Sequence, residues 1–195
     1  VETDTFMPTK FPVERADVLL SKSDPGAVDP NLLIAELPLR TDMTVADIGS
    51  GPGYFSVPLA KYLYDGKVHA IDVQQGMLDI VVKQAEAVRV NNIETVLSKE
   101  AKIPLADASV DIALLSNVLH ETSSPTRLIR DVKRIVKKGG WIVIMEWKKE
   151  EMTVGPPLKE RIALEDVEKL IDKIKLPIKA RRVIGKSRYL VLVEK

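Results

Sequence analysis

Short apolar runs alternate along this chain with longer stretches whose apolar residues recur at helical spacing. The runs fall near residues 44–48, 67–71, 93–97, 110–116 and 140–146 and are rich in Val, Ile, Leu and Ala. Unbroken apolar character over so few residues predicts strands buried on both faces. Helices are predicted near 54–63, 76–90 and 124–137. Such alternation implies a parallel sheet with helices on both faces. The C-terminal end breaks the pattern: 166–174 reads as a helix, and 178–184 and 188–194 as strands joined by Gly185-Lys186-Ser187. A short glycine-containing loop between two β-rich runs predicts a hairpin. The expected class is α/β, a doubly wound sheet of seven strands, mostly parallel with a C-terminal antiparallel hairpin. Residues 1–28 are irregular, broken by Pro8, Pro12, Pro25 and Gly26, with a short helix expected over 14–21. Asp29 reads as a helix N-cap and Pro30 as the first helical residue.

The most informative stretch is Val45-Ala46-Asp47-Ile48-Gly49-Ser50-Gly51-Pro52-Gly53. An apolar strand carrying one acid breaks into three glycines at alternate positions, and a helix follows. Strand, glycine turn and helix let a ligand press against bare backbone at a helix N-terminus. The spacing is G-x-G-x-G, unlike the G-x-G-x-x-G of dinucleotide folds. Glycine turns also close ordinary strand–helix joints. The next strand, Lys67-Val68-His69-Ala70-Ile71-Asp72, ends in an acid that lies 72 − 53 = 19 residues beyond Gly53, room for one helix. In a nucleoside-binding α/β sheet an acid there accepts hydrogen bonds from ribose hydroxyls; the plain alternative is a solvated strand-end Asp. Val73 and Met77 follow as apolar candidates to flank an adenine, and Met77 fits a helix core equally well.

Composition narrows the classes. A chain of 195 residues with 45% hydrophobic content buries one substantial core, so one domain over 1–195 is expected. Net charge is +1 with signs interspersed, which gives no support to a nucleic-acid partner. No apolar run approaches the roughly 20 residues that span a bilayer, and nothing at the N-terminus reads as a signal peptide. The opening valine fits a chain lacking a short N-terminal piece. A soluble cytoplasmic protein with no membrane association is the expectation. Cysteine is absent, which excludes disulfides, Cys-ligated metals and thiolate nucleophiles. No metal is expected.

With Asp47 two residues before its first glycine, the turn resembles motif I of the class I S-adenosylmethionine-dependent methyltransferases. Two further segments resemble that family in the expected order. Ile103-Pro104-Leu105, a polar turn and Val110-Asp111 precede the fourth strand, as in the small-molecule methyltransferases of the ubiquinone and menaquinone biosynthesis group. Val136-Lys137-Lys138-Gly139-Gly140 is similar to the L-K-P-G-G turn before the fifth strand, with lysine in place of proline. The terminal hairpin agrees. The resemblance covers roughly residues 29–195 and is specific to the cofactor half. It implies a Rossmann-like sheet and S-adenosyl-L-methionine as cofactor. It also implies that Gly49, Ser50, Gly51 and Gly53 accommodate the methionine part, and that Asp47 holds the turn or the amino group. Asp72 would take the ribose, Val73 and Met77 the adenine faces, and Glu100-Ala101 the adenine amine. Glu100 reads equally as a solvated loop acid. Asn117, at the end of the fourth strand, is a further cofactor-binding candidate, and residues 1–40 take the place of a lid.

The acceptor is less legible. The fourth strand ends Ser116-Asn117-Val118-Leu119, not in the N/D-P-P-Y motif of amino-group methyltransferases, and no Asp…Asp-Asn metal set appears. A small-molecule substrate is the residual expectation; oligomeric state is open. Methyl transfer from a sulfonium needs mainly alignment, and a base only where the acceptor must lose a proton. His120, followed by Glu121, is the candidate base, since an imidazole near its ordinary pKa of about 6.5 accepts a proton at neutral pH. A packing or capping role suits it too. His69, inside the second strand, reads as structural, and Trp147 either walls the acceptor pocket or covers the sheet end. Two other classes stand beside the methyltransferase: a nicotinamide-dependent oxidoreductase, which the glycine spacing and hairpin disfavour, and a non-catalytic cofactor-binding protein on the same fold.

Overall fold

The structure, a computed structural model, describes residues 10–21 and 26–195. Seven strands run as β1 (Thr44–Ile48), β2 (Lys67–Asp72), β3 (Ile93–Leu97), β4 (Val110–Ser116), β5 (Val136–Trp147), β6 (Ile178–Ile184) and β7 (Arg188–Glu194). The helices are α1 (Ala16–Leu20), α2 (Pro30–Glu36), α3 (Ser56–Tyr62), α4 (Gln75–Ala87), α5 (Pro125–Ile135) and α6 (Leu164–Lys173). The strands form one sheet in the order β3-β2-β1-β4-β5-β7-β6. The pairs from β3 through β5 are parallel, while β7 is antiparallel to both β5 and β6. The doubly wound sheet and its terminal hairpin are therefore as the sequence predicts.

Alternate strand residues feed two cores, one on each face. Ala113 and Leu115 of β4 join Ile129 and Val132 of α5 and Val167 and Ile171 of α6. Ile112 and Leu114 of the same strand join Leu33 of α2 and Leu59 and Leu63 beside α3. This double burial is why these strands read as continuous apolar runs rather than as polar–apolar alternation. The chain leaves β1 toward β2 and β3 on one side and returns through β4 on the other, so strand order reverses between β1 and β4. A crevice opens at such a point beyond the strands' carboxyl ends.

Element ends differ from the sequence reading for local reasons. Residues 54 and 55, read as helical, lie in the turn ahead of α3. Helix α4 stops at Ala87 rather than 90 because Arg89 adopts φ 57° and the Val90 amide turns back to the Ala85 carbonyl, 2.9 Å. Helix α5 stops at Ile135 because Val136 is taken into the sheet opposite Val110. Strand β5 thus begins before the glycine pair, and the pairing with β4 resumes only at Ile112 and Trp141. The expected helix over 14–21 is a 3₁₀ turn, Val13–Arg15, followed by α1. The Asp29 carboxylate caps α2 by accepting from the Asn31 amide at 2.9 Å, with Pro30 first in the helix, as read. Of the segment read as a lid, residues 1–9 and 22–25 lie outside the described residues. Among the described residues no helix is long and apolar enough to cross a membrane.

Candidate active site

A cavity of about 600 Å³ opens at the crevice, bounded by the glycine turn, the carboxyl ends of β2, β4 and β5, the start of β7 and the 10–21 segment. The turn is built by spending its own donors. The Gly49 and Ser50 amides both donate to the Ile71 carbonyl (2.7 and 2.9 Å), and the Gly53 amide donates to the Ser50 carbonyl (3.1 Å). Gly49 and Gly51 have φ of 67° and 52°, a region that side chains rarely adopt. A Cβ at Gly49 would fall 2.5 Å from Val118, whereas at Gly51 the nearest atom is Leu19 Cδ1 at 3.7 Å. The turn thus offers the cavity bare surface and little hydrogen-bonding capacity.

Asp72 joins the turn to β2. Its Oδ2 accepts from the Gly51 amide and its Oδ1 from the Gln74 amide, each at 2.9 Å. Burial pushes its pKa up, and the hydrogen bonds oppose the shift. Each oxygen keeps lone-pair capacity toward the cavity, since a carboxylate has about four acceptor sites. Asp47 is buried more completely, at 1% exposure, and its Oδ2 accepts from Ser56 Oγ at 2.6 Å. Burial raises its pKa to about 6, the Ser56 hydrogen bond pulls it back, and the Asp72 charge adds to the rise. Asp47 therefore ties the strand to the start of α3 and still borders the cavity.

A second carboxylate system lies across the cavity. Glu146, at the end of β5, is fully buried. Its Oε1 accepts from the Leu119 amide (2.8 Å) and the His120 amide (3.4 Å). Its Oε2 lies 2.7 Å from His120 Nδ1 and 3.4 Å from the Trp147 amide. A buried charge costs several kcal/mol unless donors converge on it, and here they do. His120 Nε2 stands 4.0 Å from Glu121 Oε1. Burial pulls the His120 pKa down, but Glu146 and Glu121 pull harder, so it lies above the ordinary imidazole value, with Arg188 opposing them. Burial raises Glu121 to about 7, opposed by His120 and by the Phe11 amide that Glu121 accepts.

Arg188 begins β7 directly opposite Trp147. Its guanidinium lies on the Trp147 ring, Nε donates to Asn117 Oδ1 at 2.8 Å, and Nη1 donates to Ser187 Oγ at 2.8 Å. Trp147 is buried and borders the cavity, so it is a wall of it. The loop after β5 also packs on this ring, with Gly155 against it, and is held by buried Arg161. Arg161 donates to the carbonyls of Pro156 (2.8 Å), Glu150 (2.8 Å), Val154 (2.7 Å) and Lys148 (3.3 Å). The roof is the 10–21 segment. The Phe11 carbonyl accepts from Gln74 Nε2 at 3.0 Å, and its amide reaches Glu121.

The structure gathers most residues singled out from sequence around one space. Asp47, Gly49, Ser50, Gly51, Asp72, Val73, Met77, Glu100, Asn117 and His120 all border the cavity. Gly53 and Ala101 do not. Gly53 permits the approach of α4, since a Cβ there would fall 3.2 Å from Val81. Ala101 packs against the core beneath α5. Met77 is both buried and cavity-lining, which unites its two readings. Glu100 is no free surface acid: its Oε1 accepts from Thr122 Oγ1 (2.7 Å), Ser123 Oγ (2.9 Å) and the Ser123 amide (2.5 Å). Asn117, at φ 57°, faces Arg188 and so belongs to the Trp147 side. His69 stays inside β2, away from the cavity. Sequence reasoning missed Glu146 as the partner of His120. The available signal was an acid ending an apolar strand, the same signal that marks Asp47 and Asp72. Arg188 and Arg161 had no such signal.

Comparison with known proteins agrees with this geometry. Residues 46–144 match the methyltransferase domain family. A SAM-dependent methyltransferase from Aquifex aeolicus, known from its crystal structure, is 31% identical and superposes with a TM-score of 0.89 over 94% of this chain and 98% of that one. An uncharacterised methyltransferase of Schizosaccharomyces pombe is 31% identical over 116 residues, 55% of this chain and 40% of that protein. A malonyl-(acyl-carrier protein) O-methyltransferase of a Marinomonas species is 29% identical over 111 residues, 57% of this chain and 40% of that protein. The chain thus spans about two fifths of the length of these two curated relatives. A family match over half of the chain, together with the near full-length likeness to the Aquifex protein, places it among the class I S-adenosylmethionine-dependent methyltransferases.

Proposed function

We propose that this protein transfers a methyl group from S-adenosylmethionine to a small acceptor whose reacting atom carries a proton, with His120 as the base. The observation that carries this reading is that the glycine turn and His120 border the same cavity. S-adenosylmethionine, when bound, supplies a methyl group on a positively charged sulfur that departs as a neutral thioether. The residues fit such a molecule. Gly51 leaves bare backbone for the methionine part, and Gly49 makes room for the Val118 side chain. Asp72 retains acceptor capacity for ribose hydroxyls, and Val73 and Met77 give apolar faces to an adenine. Glu100 Oε2, which makes no hydrogen bond among the described residues, is available to an adenine amine.

On the other side, His120 accepts a proton from the acceptor, a step worth about 10²–10⁴-fold in rate. Trp147 supplies an aromatic wall, and Tyr54, Phe55 and Met145 add apolar surface. This lining suits a compact, largely apolar acceptor. That the Marinomonas relative is an O-methyltransferase supports an oxygen as the acceptor atom.

Titration calorimetry tests the cofactor half. S-adenosylmethionine or its demethylated product should bind, and NAD should give no comparable heat. Tight NAD binding with no binding of the sulfonium would overturn the reading.

A further inference from the structure

We infer that Glu146 is a positioning residue that fixes the tautomer of His120 and so makes its cavity-facing nitrogen a proton acceptor; this rests on the methyl-transfer reading above. A carboxylate has only acceptors. With Oε2 at 2.7 Å, Nδ1 of His120 must carry a proton to make that contact. The neutral ring then has its lone pair on Nε2. Among the described residues no hydrogen bond ties Nε2 down, and Glu121 Oε1 at 4.0 Å is beyond hydrogen-bond reach. The Leu119 and His120 amides anchor Oε1, so the carboxylate cannot rotate away from the ring without losing them.

The arrangement serves one proton movement. An acceptor O–H, N–H or acidic C–H gives its proton to Nε2 while its own oxygen, nitrogen or carbon takes the methyl group, whose bond to sulfur breaks to leave a neutral thioether. The imidazolium is held by Glu146 on one side and Glu121 on the other, with Arg188 as the opposing positive charge. After product leaves, the proton passes to solvent and the ring regains the same tautomer. Acceptors already deprotonated at neutral pH have no use for this device, which points to a weakly acidic group such as a phenol or an enol.

Glu146→Gln tests the inference with almost no change of shape. The side-chain carbonyl should stay with the Leu119 and His120 amides, where two donors demand an acceptor. The amide NH₂ then faces Nδ1 and donates to it. The ring tautomer should invert, leaving Nε2–H pointed into the cavity. The chain has two histidines, so ¹⁵N–¹H imidazole spectra assign each one by comparison with His69→Gln. Wild type should show the Nδ1–H tautomer for His120 with a titration midpoint above that of a free imidazole. Glu146→Gln should show the Nε2–H tautomer and a lower midpoint, with product-cofactor affinity by calorimetry unchanged. Once an acceptor is in hand, kcat of this variant should fall by about 10²-fold or more. An Nε2–H tautomer in wild type, which needs no variant, overturns the inference. So does an unaltered His120 spectrum in Glu146→Gln, or an inverted tautomer with full activity. Failure of cofactor binding would instead strike the methyl-transfer reading and leave the spectra standing.

Discussion

The two halves of the cavity are built on opposite plans. The half proposed for the cofactor centres on one contiguous stretch, residues 45–53, and on Asp72 at the end of the neighbouring strand, with Val73, Met77 and Glu100 beside them. Its turn amides are spent within the protein, and what remains is space and the spare lone pairs of Asp72. The half proposed for the acceptor is assembled from side chains far apart in sequence: Asn117, His120, Trp147 and Arg188 line it, and buried Glu146 stands behind His120. There the geometry depends on partners: Glu146 on three backbone amides, Trp147 on Arg188, the flanking loop on Arg161. A fixed ligand can be met by backbone alone. A base must be aimed, and aiming takes side chains locked by further contacts.

Four substitutions sharpen this contrast. The largest effect belongs to Gly51→Val, which puts a β-branched side chain at φ 52° and into the cavity. Calorimetry should show no cofactor binding, while circular dichroism reports a folded chain; retained binding would make the turn a mere connector. Next is His120→Ala, expected to lower turnover by about 10²–10⁴-fold without touching cofactor affinity. The companion pH profile has a defined sign. His120 works as a base only when neutral, and its pKa is raised, so activity should climb with pH through a midpoint above the ordinary imidazole value of about 6.5. A flat profile would leave proximity as the only catalytic device.

Asp72→Ala comes third. On the proposed reading, ribose contacts to this carboxylate are worth roughly 1.5–3 kcal/mol each, so affinity should drop at least about tenfold. The variant should also melt lower without ligand, since the Gly51 and Gln74 amides lose their acceptor. An unchanged melting temperature would mean that water replaces the carboxylate there. The smallest effect is expected from Asp47→Asn. Burial holds Asp47 at about 6 in the folded chain against 3.8 when solvated. The folded state therefore keeps this proton more tightly, and stability falls as pH rises from near 4 to near 6. Asn retains an acceptor for Ser56 without the charge, so at pH near 8 the ligand-free variant should gain about 1 kcal/mol, and near pH 4 nothing. Thermal melts at the two pH values check it; a variant less stable at both would show that the charge is needed for the turn itself.

Legibility followed the same division. Strands β1, β2, β4 and β7 were readable because burial on both faces leaves unbroken apolar runs. That the glycine turn and Asp72 border one cavity was readable because they lie close together in sequence. Helix ends were not, since they were decided by pairings beyond the window: Val136 joins β4, and Arg89 turns left-handed. Arg188 stood at the head of a predicted strand with nothing to show that β7 would insert beside β5 and set it across from Trp147. Gly53 looked identical to Gly51 in sequence, yet the helix behind it, not the ligand space, requires it. Glu146 was within reach, because an acid closing the run Ile142-Val143-Ile144-Met145 has to be matched by buried donors.

The Arg161 clamp has an evolutionary reach. Among the described residues its hydrogen bonds all go to main-chain carbonyls, those of Lys148, Glu150, Val154 and Pro156, while its guanidinium also lies 5.3 Å from the centre of the Trp147 ring. Main-chain carbonyls are common to every amino acid, so the residues carrying them can be exchanged without loosening the grip. The stretch beside the cavity can therefore drift in sequence at those four positions at constant shape, but not at Gly155, where a Cβ would fall 2.5 Å from the Trp147 ring.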